Sequence, residues 1–474
     1  MKPIDKIKKE LYPSNDYIFK NIIIDEVEIN IIFNEVLTST NSINKYILFR
    51  LTKLNKKELK NLNNYIPCGN SKIINNKSII YYLNMGYAIV IVNNTIYAFE
   101  LKNNLDRGIS KCDSELSIGG PKDSFSELFN NNLGLIRKRI KNSHLKCKNI
   151  NIGNYTKTKV GILYIDNICD HKLVDNIISK LKKINIDGII DSSYLKNSLE
   201  EKSNLFPTIM MSERPDKCSM ALLEGKAVII VDNSPYALIL PSFFIDFFHT
   251  TDDYFQKSFN TTFIRIIRLI AFFTAIFLPG IYIAVTTRNY NLVPYQLLLV
   301  LKAGRSFVPF PAYIETLLMI ISFEILKESD VRMSTTTSTS VSILGGLILG
   351  DAAVAAGIVS PIIIIITALS SISELTFNSI ELVNTIRFYK ILILISSTIL
   401  GIYGVLIGFI FMLYNMYFTR IFNYHYLTID KNEIKDSFIK MDSNIKYRNS
   451  KLTKNTIRGW FKWKKYSPYL YYYL

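Results

Sequence analysis

The stretch from Ser342 to Pro361, SILGGLILGDAAVAAGIVSP, constrains this chain more than any other. It is an apolar run built largely of Gly and Ala, with one acid, Asp351, in its middle. In lipid, small residues let helix backbones approach closely, and a carboxylate is tolerated only beside a partner, a cavity or water. The stretch therefore reads as a helix seam or a membrane path. Around it, residues 262–419 are mostly Ile, Leu, Phe, Ala and Gly, whereas residues 1–261 mix Lys, Asn, Asp and Ile like a soluble protein. At 474 residues the chain exceeds one ordinary core, and this change of composition is its principal boundary.

The formal charge of +17 is unevenly spread: from Arg420 onward there are 12 Lys/Arg against 4 Asp/Glu. A basic, aromatic tail directly after the last apolar run suits anionic headgroups on a cytoplasmic face. A nucleic-acid surface is the competing reading, but no binding module accompanies it. The N-terminus has charge without a following apolar core, so a signal peptide is not expected and the first part should remain cytoplasmic. Five cysteines lie in that part without CxxC spacing, which predicts reduced thiols. Four scattered histidines offer no metal constellation, and neither a cofactor nor a catalytic site is expected.

Residues 1 to about 60 give short apolar pieces without a clear element. From Gly86, GYAIVIV and TIYAFEL flank Asn93-Asn94, a hairpin signal. Pro121 to Ile140 reads as a helix opened by proline, and KVGILYID as a buried strand followed by a helix over 171–183. Further alternation follows: a DGII strand, a helix near 192–201, FPTIMM, a helix over Arg214 to Glu224, then AVIIVD and YALILP. This pattern predicts βαβ units and a parallel or mixed sheet. Within it, Ser212, Glu213, Arg214, Pro215 and Asp216 look like a helix start used for a domain or subunit contact, with Ser212 as N-cap. The aromatic segment 242–261 fits an interfacial elbow and internal packing equally well.

The apolar part opens with a span from about Ile266 to Thr287, interrupted by Pro279-Gly280, which would act as a hinge. Pieces at 293–305 and 309–329 follow, the second with Glu315 and Glu324 about 180° apart on a helix. Glu315 is the better candidate for the interior. Gly346 and Gly350 form a GxxxG pair, extended by Ala352, Ala353, Val354, Ala356, Gly357 and Val359 up to the turn at Pro361. Gly404 and Gly408 make another in a long last span, about 389–417. These small residues, with Asp351 and Glu315, are the candidates for helix packing or for lining a pore. The fold class is thus an α/β cytoplasmic region in two subdomains (1–157 and 158–261), an α-helical multi-span membrane domain (262–419) and a cytoplasmic tail (420–474). Four or six spans would keep both termini on one side.

ELSIGGPKDSFSELFNNNLGLIRKRI, TKTKVGILYID, SERPDK, LLEGKAVIIVDNSPYALILP, LPGIYIA, VPFPAYIE and AAVAAGIVSP together resemble the A subunits of spore germinant receptors, the GerA family. The resemblance runs from about Ser114 to Tyr426. It implies an inner-membrane protein of the bacterial spore that works with a transporter-like B subunit and a lipoprotein C subunit. It also implies a homo-oligomer forming a nutrient-gated monovalent cation channel. A paralogous group encoded with the dipicolinic acid channel proteins shares the architecture, and transport of the nutrient itself is a further alternative. Gly119 stands where relatives usually carry Arg, and Asp351 where a neutral polar residue is common.

Overall fold

The first sheet comprises β1 (Tyr17–Ile24), β2 (Val27–Asn34), β3 (Ser71–Ile73), β4 (Tyr87–Val92) and β5 (Thr95–Glu100), in the order β1-β2-β4-β5-β3, with apolar side chains on both of its faces. Ile29, Ile31, Phe33, Val90 and Phe99 fill one face, and Ile32, Ile89, Ile91 and Ala98 the other. The second face is covered by α1 (Pro3–Leu11) and α2 (Ile79–Asn84) through Ile7, Leu11, Ile79 and Leu83. The Asn93 hairpin forms as the sequence predicts, with Val92 opposite Thr95 and Asn93 at φ +51°. The structure, a computed structural model, describes residues 3–25, 27–56, 58–68, 70–93, 95–103, 115, 117, 119–201, 204–332, 346, 350–427, 440 and 452.

The second sheet comprises β6 (Leu145–Ile152), β7 (Thr158–Ile165), β8 (Met210–Ser212), β9 (Ala227–Val231) and β10 (Ala237–Leu240), in the order β6-β7-β9-β10-β8. Its helices are α3 (Phe129–Arg139), α4 (His171–Lys183), α5 (Ser192–Leu199) and α6 (Pro215–Glu224). Asp170 and Asp191 cap α4 and α5, each accepting from a backbone N–H two residues on. Positions 157/158 fall inside the β6–β7 hairpin, within this one sheet.

Three expectations need correction. Every pairing in both sheets is antiparallel, not parallel or mixed. Continuous apolar runs such as AVIIV report only that both faces of a strand are buried, and an antiparallel sheet covered on two sides produces the same pattern. The DGII segment is irregular rather than a strand. The helix expected from Pro121 starts only at Phe129, because the backbone before it is engaged elsewhere: Phe125 N donates to Glu213 O at 2.8 Å and Pro121 O accepts from Arg214 Nη2 at 3.0 Å.

By contact density the chain divides into Met1–Lys202 with Ile209–Ser242 and Asp442–Leu474, and a helical unit of Ser203–Thr208 with Phe243–Met441. The helical unit contains α7 (Ser258–Ile283), α8 (Tyr295–Ala303), α9 (Ala312–Arg332), α10 (Pro361–Glu374), α11 (Ile380–Leu400) and α12 (Ile402–Phe418). Two of its helical stretches, Ser258–Arg288 and Ile380–Leu400, are long and apolar enough to cross a membrane. The aromatic segment after Ser242 packs inward: Phe244 and Phe248 meet Phe272, and Phe206 stacks on Tyr389 with ring centroids 5.4 Å apart.

The expected single span at 389–417 is two helices. Gly401, at φ +63° and ψ −137°, takes a conformation that L side chains rarely adopt, and Ile402 N donates to Asn289 Oδ1 at 2.9 Å. Ser396 Oγ then meets Gly404 O at 3.0 Å, and Asn415 Nδ2 meets Tyr389 OH at 2.9 Å. Those pairings make α11 and α12 an antiparallel hairpin. Helices α9 and α10 run parallel instead, because Glu315 meets Ser360 near their starts and Lys327 meets Glu374 near their ends.

Candidate functional site

The polar groups the sequence singles out fall into separate clusters. In the sheet-bearing unit, Ser212, Glu213, Arg214, Pro215 and Asp216 are all buried. Arg214 forms a fork onto Asp216 at 3.1 and 2.7 Å and donates to the carbonyls of Glu115 and Pro121. Glu213 Oε1 accepts Glu115 N at 2.8 Å, and Ser212 Oγ donates to Glu115 Oε2 at 2.7 Å. Together they clamp the backbone at Glu115 and Pro121. Ser212 ends β8 and is not the N-cap of α6; Arg214 holds that position, since Pro215 at N1 sets the helix start.

At the entry to α7, buried Asp253 accepts from Arg268 Nη1 at 2.8 and 3.0 Å and from Arg265 Nε at 3.4 Å. Burial pushes its carboxyl pKa up, but Arg268 and Arg265 outweigh that and hold it below the usual value. Further along, α7 runs through Pro279 and Gly280 without the expected interruption. Proline has no N–H for the carbonyl four residues before it, Ala275 O, and Ser370 Oγ on α10 supplies the missing donor at 2.8 Å. A Cβ on Gly280 would sit 2.6 Å from Ile393 Cγ2, so glycine there admits α11 closely.

Glu315 is fully buried. Its Oε1 accepts from Arg305 Nη2 at 3.0 Å and Nε at 3.2 Å, while its Oε2 accepts the backbone N–H of Ser360, the N-cap of α10, at 3.0 Å. Pro361 is the first residue of α10, and Val359 is buried beside Tyr282, Ala312 and Met319. One carboxylate thus ties the loop after α8, the start of α9 and the start of α10 together.

Asp351 lies elsewhere. Residues 350–355 are helical, with Asp351, Ala352, Val354 and Ala356 exposed, Ala353 and Gly357 half-buried. Among the described residues Asp351 has no hydrogen-bond or ion-pair partner. A Cβ added at Gly346 meets nothing within 4 Å, and one at Gly350 only Ile364 Cγ2 at 4.0 Å. The rest of the expected 338–358 helix, including 347–349, lies outside the described residues. The other GxxxG pair differs sharply: a Cβ at Gly404 would come 2.0 Å from Ser396 O, and one at Gly408 2.6 Å from Ile393 Cγ1. Gly404 and Gly408 form a closed seam within the chain, whereas Gly346 has room for a methyl and Gly350 only grazes Ile364.

One cluster has no counterpart in the sequence reading. Glu374, at the end of α10, bonds Lys390 of α11 and accepts from Lys327 of α9 at 2.6 Å; Glu374 and Lys390 are each 1% exposed. Glu324 pairs with Arg387 at 2.8 Å and Lys327 at 3.4 Å, with Lys390 at 3.7 Å. It therefore joins this cluster. A usable signal existed in Lys390, a lone ammonium midway along an apolar 21-residue helix, which requires a partner.

Residues 5–451 match the family described as Bacillus/Clostridium GerA spore germination protein. This chain belongs to the GerA family. Among curated GerA relatives, Spore germination protein KA of Bacillus subtilis is 33% identical over 93% of this chain and 84% of its own. Spore germination protein GerQA of Bacillus cereus is 32% identical over 94% and 92%. A crystal structure of the N-terminal domain of the A subunit of the Bacillus megaterium spore germinant receptor GerK3 is 29% identical, with a TM-score of 0.40 over 51% of this chain and 94% of that one.

Proposed function

We propose that this GerA-family chain is the A subunit of a nutrient germinant receptor in the spore inner membrane. It works with a transporter-like B subunit and a lipoprotein C subunit, and copies of it surround a monovalent cation path that the nutrient opens. The family match and the names of the relatives support the receptor role. Exposed apolar side chains on α7 (Phe263, Ile267, Ile270) and α12 (Ile407, Ile410, Leu413) support a lipid-facing helical unit.

The observation that supports the cation path is the contrast between two acids of the helical unit, Glu315 and Asp351. Glu315 is internally neutralised and positions α10, while Asp351 is exposed on a small-residue helical segment whose far end, Val359 and Ser360, is anchored by that same α10 start. An acid repeated around a ring attracts cations without reaction chemistry, and small neighbours let copies approach. The test follows potassium and sodium release from spores after nutrient addition, comparing wild type with spores lacking this gene. Loss of release in the deletion supports the role; unchanged release refutes it.

A further inference from the structure

Helix α10 is held at both ends. Its start is bound by Glu315 through Ser360 N, and its last residue, Glu374, by Lys327 and Lys390. It is therefore a rod of 14 residues, about 21 Å long at ~1.5 Å per residue, continuous at one end with the 350–359 segment and at the other with the buried charges.

Those charges have an unusual arrangement for a purely structural pairing. Lys327 Nζ reaches Glu374 Oε2 at 2.6 Å and Glu324 Oε1 at 3.4 Å; Lys390 Nζ bonds Glu374 Oε1 and has Glu324 Oε1 at 3.7 Å. Each ammonium therefore has both carboxylates in reach. A buried ion left unpaired is heavily penalised, so helices joined by one exclusive pair resist sliding. Here Lys390 can leave Glu374 and land on Glu324 without passing through an unpaired state, and Arg387 already neutralises Glu324 from its other oxygen at 2.8 Å. Such an element has two discrete arrangements of similar composition, which is what a switch between packed helices needs.

We propose that Glu374, Lys390, Lys327 and Glu324 form an exchangeable charge latch between α9, α10 and α11: with Lys390 on Glu374 the cation path is closed, and transfer of Lys390 to Glu324 releases the end of α10 from α11, leaving it on Lys327 of α9, and opens the path. This rests on the cation-path reading above.

The test uses spores in which the only copy of the gene is wild type, Glu374→Gln or Glu324→Gln, with full-length protein quantified in the membrane fraction and potassium release followed against nutrient concentration. Glu374→Gln removes the closed-state partner, so half-maximal release moves to lower nutrient by about fivefold or more, within the usual range of coupling between sites. Glu324→Gln removes the open-state partner while leaving Glu374 bridging both lysines. It keeps wild-type abundance and moves half-maximal release to higher nutrient by a similar factor. Where Glu374→Gln fails to accumulate, Glu324→Gln decides alone. Unchanged dose responses at wild-type abundance, or shifts in the same direction, overturn the latch and leave the path reading standing. Release from wild-type spores no greater than from gene-deleted spores overturns both.

Discussion

Ser370 Oγ donates to the carbonyl oxygen of Ala275 at 2.8 Å, and Ala275 O is the acceptor that Pro279 leaves without a helical donor. A proline that sequence reasoning reads as a break is thereby absorbed into a continuous helix by one hydroxyl on its neighbour. The pairing also fixes α10 against α7 at a defined height.

Replacing Ser370 with Ala should cost about 1–3 kcal/mol, the usual penalty for a buried polar group left unsatisfied. Adding Pro279→Ala restores the intrahelical N–H and should cancel most of that cost, so the double variant is more stable than Ser370→Ala alone. Thermal unfolding of the full-length chain in detergent measures the cycle. Additive losses in the double variant would mean that the hydroxyl serves some other group.

The two GxxxG pairs should respond in opposite ways. Gly404→Ala places a methyl 2.0 Å from a backbone carbonyl and must part α11 from α12, so the chain should lose most of its abundance in the membrane. Gly346→Ala meets open space and should leave abundance at wild-type level. Equal tolerance at both sites would contradict the α11–α12 seam.

Much of this contrast was legible in the residues, but not its assignment. GxxxG reports that backbones can approach, and only the turn at Gly401 reveals that one pair is consumed within a hairpin. Similarly, the turn-forming Asn93-Asn94 between two β-rich runs gave the β4–β5 hairpin, whereas a uniformly apolar run such as AVIIV or ALIL does not by itself report strand direction. The polar contacts at Glu115, Pro121 and Ala275 involve partners about 100 residues away, beyond any local pattern. Among the candidate site residues, Glu315 reads correctly as interior, but its ties to Arg305 and Ser360 have no sequence signature.

Acid should weaken the entry to α7. The Asp253 carboxyl titrates below its unfolded value, so its pairing with Arg268 and Arg265 contributes in full above about pH 4 and is lost as pH falls through the lower folded value. The unfolding temperature of the full-length chain should therefore drop below pH 4. Asp253→Asn should lower it at pH 7 and flatten that acid limb. A variant with an unchanged pH profile would show that the pairing contributes nothing.

Arg214→Lys should behave as a substantial change despite keeping the charge. Lysine cannot form the fork onto Asp216 while reaching the carbonyls of Glu115 and Pro121. A loss of about 2–4 kcal/mol is expected for a buried pair so weakened. Limited proteolysis of the full-length protein should show faster cleavage near residues 115–121 than in wild type. Unaltered cleavage would remove Arg214 from the clamp.

The most direct test of the cation path is the rate of nutrient-triggered potassium release from spores carrying Asp351→Lys as the only copy, at membrane abundance matched to wild type. Asp351 is exposed and has no partner among the described residues, so the substitution should leave folding intact. The account predicts release slowed about tenfold or more, the effect of ~1.4 kcal/mol added to the barrier, with Asp351→Asn between the two. Release at the wild-type rate in Asp351→Lys spores with normal protein levels would contradict it.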